Sequence, residues 1–354
     1  MKKHLKFAGF TVFVFLLTAC NEKKKDDYNR TELLNNLFST IIVPNHNAFQ
    51  TVTASLKTAA DAFLINQDAA KLDALRSAFL LSYTKLMAVE VYDFAPSSTL
   101  RASLNTFPAD TVQINSNILS GSYNLSAVSN LRAKGFPALD YLLFADAGNV
   151  LSKFAADANR RQYLNDLVND ISTTATNATT AWNAYQTSFV NASGTDIGSS
   201  VGMLVNDMSF ESERNRRERV GNALGYIGIV SGGVLSPGSL EGYYSSYSKE
   251  LLIENLQQLK WLYEGGSSTG FDDYLSFVGA DYNGVPLATE ITNQFSRTIA
   301  AAQAVPVDYA TALTSNNSEM QTLFIELKRL TVLLKVDMSS QLGVIINYSD
   351  NDGD

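Results

Sequence analysis

One stretch of the sequence, K-G-F-P-A-L-D-Y-L-L-F, places a lone carboxylate, Asp140, within an apolar run. Pro137 suits the first position of a helix, because the N–H that proline lacks would have no partner there. Counted from Pro137, Leu143, Phe144 and Ala147 share the helical face of Asp140, so this face is predicted to be buried. A buried carboxylate can serve as a ligand or an acid–base group, or it can be the structural partner of a basic side chain.

A candidate basic partner lies in the charged segment 210–226, which is predicted to be a helix with one buried side. Glu213 and Arg217 are four residues apart in this segment and are predicted to pair. Because an unpaired buried acid costs several kcal/mol, Asp140 is predicted to lie in the first turn of its helix, paired with an arginine of residues 214–219. Two hypotheses stay open at this point: a purely structural ion pair, and a carboxylate that belongs to a binding pocket.

A second candidate position is the predicted helix end before Pro96, where Glu90 and Tyr92 can converge on a pocket. Glu90 is equally compatible with a place on the surface of its helix. His46 follows Pro44 near a predicted helix start, and a packing or capping role is favoured over a role as a ligand.

Composition excludes several classes of site. The 354 residues carry 27 basic and 35 acidic side chains, one cysteine and two histidines. Removal of residues 1–19, which hold three lysines and no acid, leaves a net charge of 24 − 35 = −11. So acidic a chain has no electrostatic basis for binding nucleic acid. His46 is then the last histidine, which excludes a usual catalytic zinc site, whereas a metal ion held by oxygen ligands stays compatible with the sequence.

The N-terminus is typical of a bacterial lipoprotein. Residues 1–19 combine a lysine-rich start with an apolar stretch that is too short for a membrane span, and they end in Leu17-Thr18-Ala19 before Cys20. This pattern predicts cleavage before Cys20 and attachment of membrane lipid to it; the alternative is an ordinary signal peptide followed by a chance cysteine. Residues 20–30 are predicted to be a charged tether.

Helical periodicity dominates the rest of the chain and predicts an all-α protein. Two helical bundle domains packed side by side are predicted, spanning residues 31–195 and 196–354, with the boundary in the Gly- and Ser-rich loop 191–202. The closing residues 343–354 read as a short β-like run followed by an acidic tail. The predicted helical segments are 31–63, 72–94, 113–120, 126–134, 137–144, 160–189, 210–226, 249–263, 290–304 and 318–341.

Several stretches, in this order and spacing, resemble the imelysin-like family, also called insulin-cleaving membrane protease-like proteins. They are I-I-V-P-N-H-N-A-F, V-E-V-Y-D-F-A-P-S-S, K-G-F-P-A-L-D-Y-L-L-F, the segment 239–275 and the closing L-G-V-I-I-N-Y-S-D-N-D-G-D. The resemblance runs from about residue 33 to the end of the chain. It implies two helical bundles, an envelope lipoprotein and a link to iron or other metal uptake; peptidase activity has been claimed for some members.

The signature of that family is G-x-H-x-x-E, and here it reads Gly135, Phe136, Pro137, Ala138, Leu139, Asp140. The glycine is kept, Pro137 replaces the histidine and Asp140 replaces the glutamate. The resemblance therefore implies an outer-membrane lipoprotein that binds an unknown ligand or an envelope protein partner at the interface of its domains, without catalytic residues. The alternatives are a peptidase and a scaffold with a degenerate site. The predicted ligand-binding residues are Asp140, Pro137, Gly135, Glu90, Tyr92, Glu213 and Arg217.

Overall fold

The computed structural model describes residues 27–227 and 232–348. The first part of the described chain, from residue 27 to residue 191, forms eight α-helices, with a π-helical turn at Leu37–Ile42 and 3-10 turns at Glu90–Tyr92 and Val128–Asn130. The helices are α1 (Arg30–Asn36), α2 (Val43–Ile65), α3 (Ala69–Val89), α4 (Leu100–Leu104), α5 (Thr111–Ser120), α6 (Gly135–Phe144), α7 (Val150–Ala156) and α8 (Ala158–Asn191).

The rest of the described chain adds seven α-helices, π-helical turns at Asn215–Gly221 and Leu333–Met338, and a 3-10 turn at Pro237–Ser239. These helices are α9 (Ser200–Arg214), α10 (Ser248–Tyr263), α11 (Phe271–Val278), α12 (Leu287–Ala304), α13 (Tyr309–Ser315), α14 (Asn317–Val332) and α15 (Ser339–Leu342). Two short strands, β1 (Asp281–Tyr282) and β2 (Val285–Pro286), pair antiparallel with Asp281 opposite Pro286.

The prediction of an all-α protein is confirmed, since 72% of the structure is helical and strands are almost absent from the described residues. Several local predictions were wrong; helix α9, for example, begins at Ser200, whereas the helix was predicted to begin at residue 210. Helix α6 begins at Gly135 rather than at Pro137, and residues 126–134 contain only a 3-10 turn. Residues 343–348 form no strand, because they pack as an irregular segment whose backbone is bonded by the side chain of Asn206.

The helices pack around a continuous apolar core. Helix α2 packs on α3 and α8, and α12 packs on α10 and α14. The group of α2, α3 and α8 meets the group of α10, α12 and α14 where α10 packs on α3. Helix α9 packs on the 3-10 turn Glu90–Tyr92. The division into domains at residue 195 stays a prediction. What matters for the site is that α9, α10 and the end of α3 meet inside the molecule.

Within the described ranges, no helix is both long enough and apolar enough to cross a membrane. Three of the predicted features lie outside these ranges: the signal peptide 1–19, the lipidation site Cys20 and the acidic end 349–354. The described chain begins inside the predicted tether, at Asp27.

Candidate functional site

The most unusual feature of the interior is a network of ionised side chains centred on Glu90. This residue opens the 3-10 turn after α3 and is fully buried. Its Oε2 accepts hydrogen bonds from Nη1 of Arg214 at 3.0 Å and from Nη2 of Arg219 at 2.6 Å. Glu90, and not Asp140, is therefore the partner of the arginine-rich segment 214–219.

A π-helical turn brings these two arginines to one carboxylate. Arg214 ends α9, and Arg219 lies five residues later in the turn Asn215–Gly221. In an α-helix, residues five apart point in different directions, whereas the wider π-helix closes one turn with i→i+5 bonds. The amide of Asn222 makes such a bond, donating to the carbonyl of Arg217 at 2.8 Å. The extra residue in the turn thus aligns both guanidinium groups on Glu90.

Two more glutamates complete the coordination of Arg219. Its Nη1 donates to Oε1 of Glu211 at 2.5 Å, and its Nε donates to Oε2 of Glu241. Asn105 links the acids, because its Nδ2 donates to Glu90 at 2.6 Å and to Glu241 at 2.5 Å. All of these side chains are at most 2% exposed. We call the set the buried ion network; with Arg101, whose Nε lies 3.3 Å from Oε2 of Glu211, its members are Glu90, Arg101, Asn105, Glu211, Arg214, Arg219 and Glu241.

The glutamates of the network differ in acidity. Burial raises the pKa of Glu90 to about 7, although Arg214 and Arg219 oppose this rise. Burial also acts to raise the pKa of Glu211, but Arg219, Arg214 and Arg101 outweigh it and lower that pKa to about 2. Glu211 is therefore the stronger acid of the two.

A cavity of about 450 Å³ opens onto one side of the buried ion network, and we call it the network cavity. Arg101 and Arg214 reach it from the interior, and each lies over an aromatic ring of its wall. The Arg101 guanidinium is 4.7 Å from the ring centre of Phe210, and that of Arg214 is 5.1 Å from the ring centre of Phe107. Its lining residues are Asp93, Ser98, Arg101, Ala102, Asn105, Thr106, Phe107, Phe210, Arg214, Glu218 and Asn222.

Asp140 is buried as predicted, with 2% exposure, but its predicted partner and position were wrong. It is the sixth residue of α6 and thus lies in the second helical turn. Its two oxygens accept hydrogen bonds from backbone amides, at 2.9 Å from Tyr244 and at 3.0 Å from Ser245. Burial raises the pKa of Asp140 to about 6, and these bonds oppose the rise. The carboxylate holds the loop between Glu241 and α10 in place.

Little space remains around Asp140. The cavity beside it, which Pro137 and Tyr244 also line, measures about 10 Å³, about the volume of a single water site. Gly135 explains how tightly this region packs. Its φ is +69°, and a Cβ there would lie 2.2 Å from the carbonyl oxygen of Leu104. The glycine of the family signature therefore lets α6 press against the residue that precedes Asn105 of the network.

We expect Asp140→Ala to release the loop that it holds. Loss of one hydrogen bond of about 1.4 kcal/mol corresponds to tenfold in local opening, so the amide hydrogens of Tyr244 and Ser245 should exchange about tenfold faster. Hydrogen exchange followed by mass spectrometry or NMR measures this. The amides of Asn130 and Ala133, in a separate turn, should exchange as in the wild type. Unchanged exchange at Tyr244 and Ser245 would show that Asp140 does not hold the loop.

The other predicted site residues lie away from the network cavity. Glu213 and Arg217 form the predicted pair, at 3.7 Å, but neither residue lines the network cavity. Tyr92 is fully buried in an aromatic cluster. The centre of its ring lies 5.7 Å from that of His46 and 6.1 Å from that of Trp182. The packing role favoured for His46 agrees with this position.

Sequence reasoning missed Arg101, Asn105, Glu211 and Glu241 as members of the site. The sequence could have indicated Glu211, because Asp207, Glu211 and Arg214 follow a helical spacing on the face that also carries Met208. Glu241 and Asn105 had none, because each lies in an irregular segment. Across the described ranges, no group of three or more histidine, cysteine, aspartate and glutamate side chains is arranged to hold a metal ion.

Comparisons with known proteins agree with the family resemblance of the sequence motifs. The family model for imelysin, peptidase family M75, matches residues 42–334. A search of curated proteins finds no match. Among solved structures, a protein from Parabacteroides distasonis named as a candidate iron-regulated protein A precursor superposes with a TM-score of 0.73 at 16% identity, covering 91% of this chain and 97% of that one. An imelysin-like protein from Psychrobacter arcticus gives a TM-score of 0.70 at 16% identity, covering 90% and 97%.

Proposed function

The chain belongs to the imelysin family, and on this premise we propose that it is a lipid-anchored binding protein of the bacterial cell envelope. In this proposal the protein holds its ligand in the network cavity and does not hydrolyse it. The expected location is the outer membrane, with Cys20 as the lipid attachment site.

The absence of hydrolysis is supported by the residues at the family signature. Pro137 stands where the family has histidine, so this position offers no imidazole as a metal ligand or general base. Asp140 cannot replace it, because both of its oxygens accept backbone hydrogen bonds and the adjoining cavity has room for about one water. Hydrolysis needs a group that activates water beside a bound substrate, and these residues provide neither the group nor the space.

Binding in the network cavity is supported by its size and by the rigidity of its floor, and this is the observation on which the proposal depends. A volume of about 450 Å³ lies within the range of small-molecule sites. Arg101 and Arg214 are fixed by ion pairs and by stacking on Phe210 and Phe107. Polar groups held in place in this way bind a ligand without losing further side-chain freedom.

A link to iron or other metal uptake is part of the proposal. It is supported by the family resemblance and by the name of the Parabacteroides distasonis protein, which shares the fold at 16% identity. The lipoprotein assignment is supported by the sequence Leu17-Thr18-Ala19-Cys20 after a short apolar segment. In this account, the ligand is a metal complex, a peptide or a segment of an envelope protein.

A protease assay separates this proposal from the peptidase alternative. We expect the full chain to leave unfolded casein intact, both with and without EDTA, over hours in which a trace of trypsin degrades it. An Asp140→Ala variant purified in the same way controls for contaminating proteases. Cleavage that EDTA abolishes in the wild type, and that the variant lacks, would overturn the non-hydrolytic assignment.

A further inference from the structure

A cluster of aromatic side chains surrounds the point where the chain enters the fold. The ring of Tyr28 stacks on Tyr274, with 4.3 Å between ring centres, and lies 5.4 Å from the ring of Phe277. The hydroxyl of Tyr28 is fixed as well, at 2.8 Å from the hydroxyl of Thr269 and donating to the carbonyl of Gly270 at 3.3 Å. Tyr28 is thus a firm point of attachment rather than part of a loose tail.

The same region exposes large aromatic rings to solvent. Phe277 is 40% exposed and Trp261 is 46% exposed. Trp261 packs against Gly266, in the same loop whose residues Thr269 and Gly270 hold Tyr28. We call the exposed rings of Trp261 and Phe277, together with the half-buried ring of Tyr28, the aromatic face; Tyr274, on which Tyr28 stacks, is buried. Tryptophan and tyrosine rings of this kind are favoured at the boundary between lipid tails and headgroups, because one edge is apolar and the other is polar.

We propose that the aromatic face lies against the surface of the membrane that holds the lipid anchor, and so sets the orientation of the protein on the bilayer. This inference rests on the proposed lipidation of Cys20. Asp27 follows Cys20 by seven positions, and a fully extended chain of seven steps spans at most about 25 Å. The lipid therefore keeps Tyr28 and its neighbours close to the bilayer, at the one place where the described chain begins.

The length of helix α8 shows which residues lie far from the aromatic face. The Arg30 Nε donates at 2.7 Å to the carbonyl of Ser193, just beyond the end of α8. At the other end, Gly121 packs against Asn159 in the first turn. The 34 residues of α8 make it about 50 Å long. Leu119, which is 87% exposed beside Gly121, is therefore on the end of the molecule remote from the anchor.

Asp272 and Asp273 lie beside the aromatic face together with Arg30, so this surface has no excess of basic charge that would attract an anionic lipid. The association of this face with lipid should consequently depend on the anchor and on the rings, and it should be insensitive to salt. Vesicles of phosphatidylcholine, which carry no net charge, are the appropriate probe.

The two tryptophans of the chain make the test direct. Trp182 is fully buried, so it contributes constant emission, whereas Trp261 reports on the aromatic face. Lipidated full-length protein is reconstituted into phosphatidylcholine vesicles with and without brominated acyl chains, and Trp261→Phe gives the Trp182 background. We expect bromine to quench the Trp261 emission about twofold. In a Trp261→Phe, Leu119→Trp variant, the tryptophan at position 119 should keep its emission.

The outcomes separate the two proposals. If the wild type fails to float with vesicles, or if Cys20→Ala floats equally well after a high-salt wash, the proposed anchor is wrong. If the wild type floats but Trp261 is not quenched, or if the tryptophan at position 119 is quenched as strongly, the anchor stands and the aromatic face is not the membrane-facing surface.

Discussion

Arg219→Met should lower the free energy of unfolding by about 3–5 kcal/mol, because it leaves buried acids without their common partner. Arg219 is the residue that binds Glu90, Glu211 and Glu241 together, with one guanidinium nitrogen directed at each. Without it, these glutamates must either stay charged in an apolar interior or take up protons, and both cost free energy.

Urea unfolding followed by circular dichroism measures this loss. Arg329→Met is the matched control, since Arg329 pairs with Glu326 on the surface and is 60% exposed. It should change the free energy of unfolding by less than about 1 kcal/mol. If Arg219→Met does not accumulate as folded protein, Arg219→Lys serves instead. Lysine keeps the charge, but its donors lie on one nitrogen and cannot reach three separate glutamates as the guanidinium does, so an intermediate loss is expected. An effect of Arg219→Met as small as that of Arg329→Met would contradict the account of the network.

His46 should make the protein acid-sensitive. Burial in the aromatic cluster lowers the pKa of His46 to about 3, whereas an unfolded chain has an ordinary histidine pKa near 6.5. The unfolded state therefore binds the proton first. The stability that depends on neutral His46 is fully present above pH 6.5 and is lost as the pH falls toward 3. Linkage gives a loss of about 2 kcal/mol between pH 7 and pH 5.

The comparison of wild type with His46→Phe isolates this contribution. Burial also raises the pKa values of acids such as Glu90 and Asp140, but these groups are common to both proteins, so their contributions cancel in the difference. We expect the wild type to lose about 2 kcal/mol relative to the variant from pH 7 to pH 5, whatever the variant's absolute stability. Parallel pH profiles would show that His46 is not held neutral in the folded state.

The sequence was sufficient for those features that depend on periodicity. The apolar face around Asp140 predicted its burial, and the helical spacing of the chain predicted the fold class. The partner of Asp140 could not be predicted, because amide donors carry no residue-type signal and become available only where a loop such as Tyr244–Ser245 approaches. A sequence shows which side chains are charged but not which backbone groups lack a partner.

The pairing of Glu90 with Arg214 and Arg219 shows a second reason why the site could not be predicted from the sequence. A helical reading assumes 3.6 residues per turn, and on that assumption these arginines do not share a face. The π-helical turn Asn215–Gly221 changes the spacing, and no residue type marks it. The prediction that Asp140 pairs with this arginine segment was therefore wrong, because the segment pairs with Glu90 instead.

Asp140 itself fits the scaffold alternative better than a binding role, since its oxygens are engaged and its cavity holds about one water. The network cavity differs, because it has room for a small molecule above ionised groups that are already fixed. We therefore propose that the ligand binds in the network cavity and not at the family signature.

Native mass spectrometry of the full chain, purified from its own envelope, tests this claim most directly. Ala102 is exposed and lines the network cavity, so Ala102→Trp should fill it; Ala54→Trp places the same ring on an exposed position of α2. We expect the wild type and Ala54→Trp to carry the same bound ligand, and Ala102→Trp, equally stable to urea, to lack it. A wild type without a bound ligand, or an Ala102→Trp variant that retains it, would show that the network cavity is not the binding site.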